Sequence, residues 1–149
     1  MDLNLHWQSG MKFNSEIRGH STPIDAAMSV GGTNTAPTPK ELVLTGVAGC
    51  SGMDAIAYLR KKKMEPLDFN IQTQAELTNT TPKYFSKIHL VYKFLGDSLD
   101  SAEVIKSVES SMTKYCGVSF MISKTCPISY DVELNNEKIF SGEAKFSIN

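Results

Sequence analysis

Glu41-Leu-Val-Leu-Thr-Gly-Val-Ala-Gly-Cys-Ser-Gly-Met-Asp54 is apolar or small at nearly every position. Pro39 just ahead of it suits the first turn of a helix, and Thr38 suits its cap. The basic run Arg60 to Lys63 suits the helix end, and Pro66 lies beyond it. The segment from Lys40 to Lys63 therefore reads as one long helix. A helix that is apolar nearly all round belongs at the centre of a fold. Its longest apolar stretch, Leu42 to Leu59, is interrupted by Thr45, Ser51, Asp54 and glycines, which favours a core helix over a membrane span. Gly46, Gly49 and Gly52 each cost about 1 kcal/mol relative to alanine inside a helix. Such a cluster calls for a reason, either close packing of another element or access to the Cys50 sulfur.

Strand signals flank this helix on both sides. Leu3, Leu5 and Trp7 alternate with polar residues, Ser9-Gly10 marks a turn, and a run from Met11 to Arg18 follows. Gly19-His20 turns the chain into a third run through Ile24, and residues 31–39 are loop by composition. Downstream, Phe69, Ile71, Thr73, Ala75 and Leu77 alternate with polar residues, as do Ile88, Leu90, Tyr92 and Phe94. These two runs predict a hairpin around Pro82. Asp100 and Glu103 resemble a capping pair for a second helix, along which Val104, Val108, Met112, Tyr115, Val118 and Ile122 keep helical spacing until Pro127. Ile128 to Leu134 reads as a strand, and Ile139 to Ile148 as a weaker one. The order of strands, helix, strands, helix and strands indicates an α+β fold in a single domain over residues 1–149.

The second helical run carries its own cysteine, Cys116, in Tyr115-Cys-Gly-Val-Ser-Phe-Met121. If the two helices pack together, the two thiols can meet, and a buried thiol pair in a reducing compartment suggests redox chemistry more than a structural staple. The bland alternative is that each cysteine is a small buried hydrophobe. Tyr115, Phe120 and Met121 are expected to wall Cys116, and Cys126 reads as a bystander. A reactive thiol needs a nearby cation or helix N-terminus. Arg18 and Lys40 are the cations on offer, while Asp54, one turn beyond Cys50, opposes a thiolate if charged and close. On a continuous helix Glu41 lies about 13 Å from Cys50.

Other chemistries lack their signatures. There is no Cys-x-x-Cys pair, and His6, His20 and His89 fall in strand regions without ligand spacing, which argues against a metal site. Gly-rich phosphate loops and a nucleophile elbow are absent. A net charge of −1 gives no electrostatic case for nucleic acid or an anionic membrane as partner. The N-terminal stretch lacks a basic segment followed by an apolar one, so the expected location is cytoplasmic.

Taken together, Pro39-x-Glu41-Leu42, Ala48-Gly49-Cys50 and, with its cysteine 66 residues after Cys50, Tyr115-Cys116-x-Val118-Ser119 resemble the OsmC/Ohr family. The resemblance implies an intertwined homodimer with two long central helices packed on antiparallel sheets. It also implies thiol-dependent reduction of organic hydroperoxides with no metal or cofactor, and a small or lipoyl-type dithiol as reductant. Cys50 then matches the attacking cysteine and Cys116 the resolving one, with Glu41 and Arg18 as the nearest equivalents of the family's activating glutamate and arginine. The family's best-known members place that glutamate directly after the proline, where this chain has Lys40, and that arginine early in the second strand, where it has Met11-Lys12-Phe13. These departures mark a divergent branch. They keep open two alternatives, a non-enzymatic module holding a small apolar ligand at the dimer interface, and a structural role in which both cysteines only pack.

Overall fold

The computed structural model describes residues 1–147 and divides the chain into two compact units, residues 1–45 and 46–149, with the boundary inside the long helix. The first unit is an antiparallel sheet of β1 (Asn4–Ser9), β2 (Lys12–Ile17) and β3 (His20–Ile24), in that order. Trp7 pairs with Phe13, and Phe13 with Ile24. The alternation in β1 is real, but it does not bury a face. Leu3, Leu5 and Trp7 are exposed, Trp7 by 65%.

The loop after β3 is organised by the carboxylate of Asp25, a buried acid. It accepts hydrogen bonds from the Thr33 and Thr35 backbone N–H groups (3.1 Å each), from both threonine hydroxyls (2.7 and 3.1 Å) and from the Ala26 N–H (2.8 Å). These donors, the Thr33 hydroxyl first, hold Asp25 well below the usual carboxylate range. Gly32 passes so close to the Ala26 carbonyl that no side chain fits there.

The long helix α1 (Pro39–Lys61) begins with a complete capping box. The Thr38 N–H donates to the Glu41 carboxylate (2.7 Å), and the Glu41 N–H donates to the Thr38 hydroxyl (3.4 Å). The helix stops at Lys61, slightly before the expected Lys63, which takes a left-handed conformation with φ 58°. At this end Arg60 pairs with Glu65 and Lys62 with Glu103.

The second unit holds a four-stranded sheet in the order β4 (Asp68–Leu77), β5 (Phe85–Leu95), β6 (Ile128–Leu134) and β7 (Glu137–Glu143). β4 and β5 form the expected hairpin. β5 and β6 pair in parallel, which corrects the expectation of purely antiparallel sheets. Parallel neighbours need a crossover between them, and the helical segment between β5 and β6 supplies it. The weak final strand is β7, which ends at Glu143. The end of that run, at Ile148, lies outside the described residues.

The crossover also departs from expectation. In place of one long helix there are α2 (Ser101–Ser110), a single π-helical turn (Ser111–Tyr115) and α3 (Gly117–Ser123). Cys116 between them is extended, with φ −70° and ψ 101°. Asp100 caps α2 as expected, accepting from the Glu103 N–H (3.0 Å). The Glu103 side chain does not close the box. It accepts from the Tyr58 hydroxyl (2.7 Å) and from Lys62 (3.3 Å).

The core of the second unit lies between this sheet and the helices. Ile88, Leu90, Tyr92 and Phe94 of β5, with Ile128, Tyr130 and Val132 of β6, are buried, as are Val104, Val108 and Met112 from the crossover. Each such side chain contributes about 1.5–3 kcal/mol relative to exposure. α1 is long and apolar enough to cross a membrane on length and composition alone. Within that apolar stretch 28% is buried, at positions that include Val47, Ser51, Gly52 and Ala55.

The glycines of α1 differ in purpose. A Cβ at Gly52 would stand 2.8 Å from Ile71 and 3.5 Å from Phe69 on β4, so Gly52 is where helix meets sheet. A Cβ at Gly46 would touch Val118 at 3.9 Å, and one at Gly49 would meet nothing within 4 Å. Gly52→Val is therefore expected to destabilise by about 1–3 kcal/mol through overpacking. Gly49→Ala is expected to stabilise by up to about 1 kcal/mol. Chemical denaturation of both variants checks the contrast.

The Asp25 carboxylate gives a pH signature. A folded-state pKa below the unfolded one makes the stabilisation fully present above the ordinary aspartate range near about pH 4 and progressively lost below it. Melting temperatures followed from pH 6 to pH 2.5 should show this acid-induced loss diminished in Asp25→Asn, which is less stable at neutral pH.

Candidate active site

Cys50, Asp54 and Cys116 converge in the second unit. Their sulfur and carboxylate atoms all lie within 4.8 Å of one another. Cys50 and Asp54 are one turn apart on the same face of α1, both half-buried, and Cys116 is fully buried. All three cysteines are free thiols.

Each partner is held from behind. Cys116 is the N-cap of α3, and its Sγ accepts from the Ser119 N–H (3.3 Å) and hydroxyl (3.0 Å). The π-helical turn brings it there: the wider turn bonds the Cys116 N–H to the Ser111 carbonyl (3.0 Å) and releases the next residue from the helix. The Ser111 hydroxyl donates to the Asp54 carboxylate (2.9 Å). Next to Cys50, the Ser51 hydroxyl donates to the Val47 carbonyl (2.8 Å) and accepts from the buried Tyr92 hydroxyl (2.7 Å).

The electrostatics oppose a thiolate at Cys116. Burial pushes its thiol up to about 11, the neighbouring Cys50 adds to the rise, and the two Ser119 hydrogen bonds offset part of it. Burial also holds Tyr92 well above its usual range, so its hydroxyl stays protonated as a donor. Beside Cys116 lies an open groove of about 330 Å³, lined by Lys114, Tyr115, Phe120 and Phe146 among others.

The expected wall around Cys116 forms only in part. Tyr115 and Met121 are exposed, by 58% and 64%, because the helix break rotates them outward. Phe120 packs edge-on against Phe146. Cys126 is buried, with its thiol raised by burial and its sulfur 3.4 Å from the Pro127 carbonyl.

Glu41 and Arg18 belong to the first unit. The Glu41 carboxylate caps α1 as described, and the Thr38 hydrogen bonds hold it below its usual range. Arg18 sits in the turn between β2 and β3 with φ 51°. Among the described residues it makes no ion pair with Glu41. The serines Ser51, Ser111 and Ser119 are the contributors the sequence did not announce. Only their adjacency to Cys50 and Cys116, and the Ser110-Ser111 pair, hinted at them.

Fold and site place the chain among thiol-bearing α+β proteins, and comparison with known proteins identifies the family. The chain belongs to the OsmC-like family, whose model, described as OsmC-like protein, matches residues 32–131. Protein YhfA of Escherichia coli K12 is 30% identical over 135 residues, covering 90% of this chain and 98% of YhfA. A hypothetical protein from Aquifex aeolicus has a similar crystal structure, with a TM-score of 0.76, 25% identity and coverage of 90% and 96% of the two chains. The organic hydroperoxide resistance protein OhrB of Bacillus subtilis shares the fold at a TM-score of 0.62, with 18% identity and coverage of 90% and 96%.

The Asp54 carboxylate lies within 4.8 Å of both sulfurs, and a negative charge there disfavours a thiolate. Asp54→Asn should therefore speed alkylation of Cys50 by iodoacetamide at pH 7 by several-fold, as followed by mass spectrometry. An unchanged rate would mean that Asp54 does not act on the thiols.

Proposed function

We propose that the protein reduces organic hydroperoxides through its thiol pair, as a redox member of the OsmC-like family. The observation that carries this reading is the placement of the Cys50 and Cys116 sulfurs within 4.8 Å of each other. A disulfide requires those sulfurs to close to roughly 2.05 Å.

In this mechanism Cys50, the less buried thiol, attacks the distal oxygen of the peroxide as a thiolate. The O–O bond breaks, an alcohol leaves, and Cys50 becomes a sulfenic acid. The Cys116 sulfur attacks it, water leaves and a disulfide forms. An external dithiol, a lipoyl-type one by family resemblance, then restores both thiols at the cost of its own oxidation. The groove lined by Tyr115, Phe120 and Phe146 suits the apolar tail of an organic peroxide. Cys116, with its raised pKa, suits resolution more than first attack.

The proposal includes a homodimer in the cytoplasm. Supporting the dimer are the exposed apolar residues of β1 and of α1, Met53 among them at 76% exposure. Arg18 and Glu41 stay in the proposal as activating groups, which would require Glu41 to leave its capping role. In the apolar-ligand alternative, favoured by the Asp54 charge beside the thiols, Cys50 does not turn over.

Consumption of cumene hydroperoxide with dihydrolipoamide is the direct test. Turnover is expected in the wild type and is expected to be abolished in Cys50→Ser. In Cys116→Ser, dimedone should trap a sulfenic acid at Cys50. Arg18→Ala and Glu41→Gln should lower kcat without abolishing it. No turnover in the wild type, or full turnover in Cys50→Ser, would overturn the reading.

A further inference from the structure

We propose that Cys50, Cys116 and Asp54 form a three-donor site for a divalent cation of the zinc class. Two sulfurs and a carboxylate within 4.8 Å of one another are a mixed soft and hard donor set. Thiolate ligands select zinc and its soft neighbours over magnesium and calcium, which take oxygen donors. Zn–S bonds of about 2.3 Å and Zn–O bonds of about 2.0–2.2 Å place tetrahedral donors roughly 3.5–3.8 Å apart. Small side-chain rotations close the present spacing to that distance. Cys116 is buried while Cys50 and Asp54 are half-buried, so the fourth position opens on the Cys50 side, where water completes the tetrahedron.

The surroundings are built as an outer shell. Ser119 donates twice to the Cys116 sulfur, and the Ser111 hydroxyl donates to the Asp54 carboxylate. Hydrogen bonds of this kind orient the donors of a metal site, and losing one typically lowers metal affinity about 10–100-fold. Binding displaces the two thiol protons to solvent and leaves the sulfurs reduced.

This site does not depend on peroxide turnover, although both use the same thiols. A bound cation would occupy the Cys50 sulfur and block its attack, and a Cys50–Cys116 disulfide would abolish the site. Metal occupancy and oxidation are thus mutually exclusive states of one thiol pair.

The test is an anaerobic titration of the reduced full-length protein with Co²⁺, followed by displacement with Zn²⁺. Expected are thiolate-to-cobalt absorption in the near ultraviolet, visible bands of tetrahedral intensity, saturation at one ion per chain and loss of both on adding Zn²⁺. Cys50→Ser should weaken the near-ultraviolet absorption and lower affinity at least about tenfold. Ser119→Ala, which keeps all three ligands, should lower affinity by about tenfold or more. Absence of thiolate-to-cobalt absorption in the wild type would overturn the site. So would full absorption in Cys50→Ser, since His6, His20 and His89 at the surface give no such band. Peroxide turnover with no cobalt absorption would sink the metal site alone. Cobalt binding without turnover would sink only the peroxidase reading.

Discussion

The close approach of α1 to β4 at Gly52 is the constraint on which the second unit depends. Without a Cβ at that position the helix settles onto Ile71 and Phe69, and Ser51 next to it reaches the Tyr92 hydroxyl of β5. Those contacts set the rotation of α1 about its axis. Cys50 and Asp54, two residues to either side of Gly52, are thereby aimed together at the crossover. A glycine that costs about 1 kcal/mol in helix propensity is tolerated because a larger residue would lift the helix off its sheet.

The second constraint is the break in the crossover. A regular helix from Ser101 to Ser123 would carry Cys116 past α1 as one more side chain on a cylinder. The π-helical turn ends that cylinder, and Cys116 takes an extended conformation and caps α3 with its own sulfur. The thiol then stands with Ser119 behind it and Cys50 beside it. Burial and the neighbouring thiol favour the protonated form of Cys116. Its reactivity therefore hinges on what supplies positive charge. In the peroxidase reading that is an activating arginine, and in the metal reading it is the cation itself.

Much of the architecture was legible because it rests on local rules. Thr38 and Pro39 announce the start of α1, and the structure closes a capping box between Thr38 and Glu41. The alternation of Phe69 to Leu77 and of Ile88 to Phe94 announces the hairpin, and its register pairs Ile71 with Tyr92. The break at Cys116 was illegible because Val104, Val108, Met112 and Ile122 keep helical spacing straight through it. The parallel pairing of β5 with β6 was illegible for a similar reason: strand patterning reports which face is buried and says nothing of the neighbour's direction. In the site, spacing rules for metal ligands look for donors close in sequence. They pass over a cluster whose third member lies 62 residues beyond Asp54.

The sequence by itself determined the strands, the long helix α1, the caps of α1 and α2 and the identity of the two thiols, since capping, periodicity and turn chemistry act over a few residues. Only the tertiary structure decided that Asp54 joins the thiols, that Ser119 holds the Cys116 sulfur and that Ser111 holds the Asp54 carboxylate. Those facts depend on how far a helix rotates as it packs and where another one breaks, and packing between distant segments sets both.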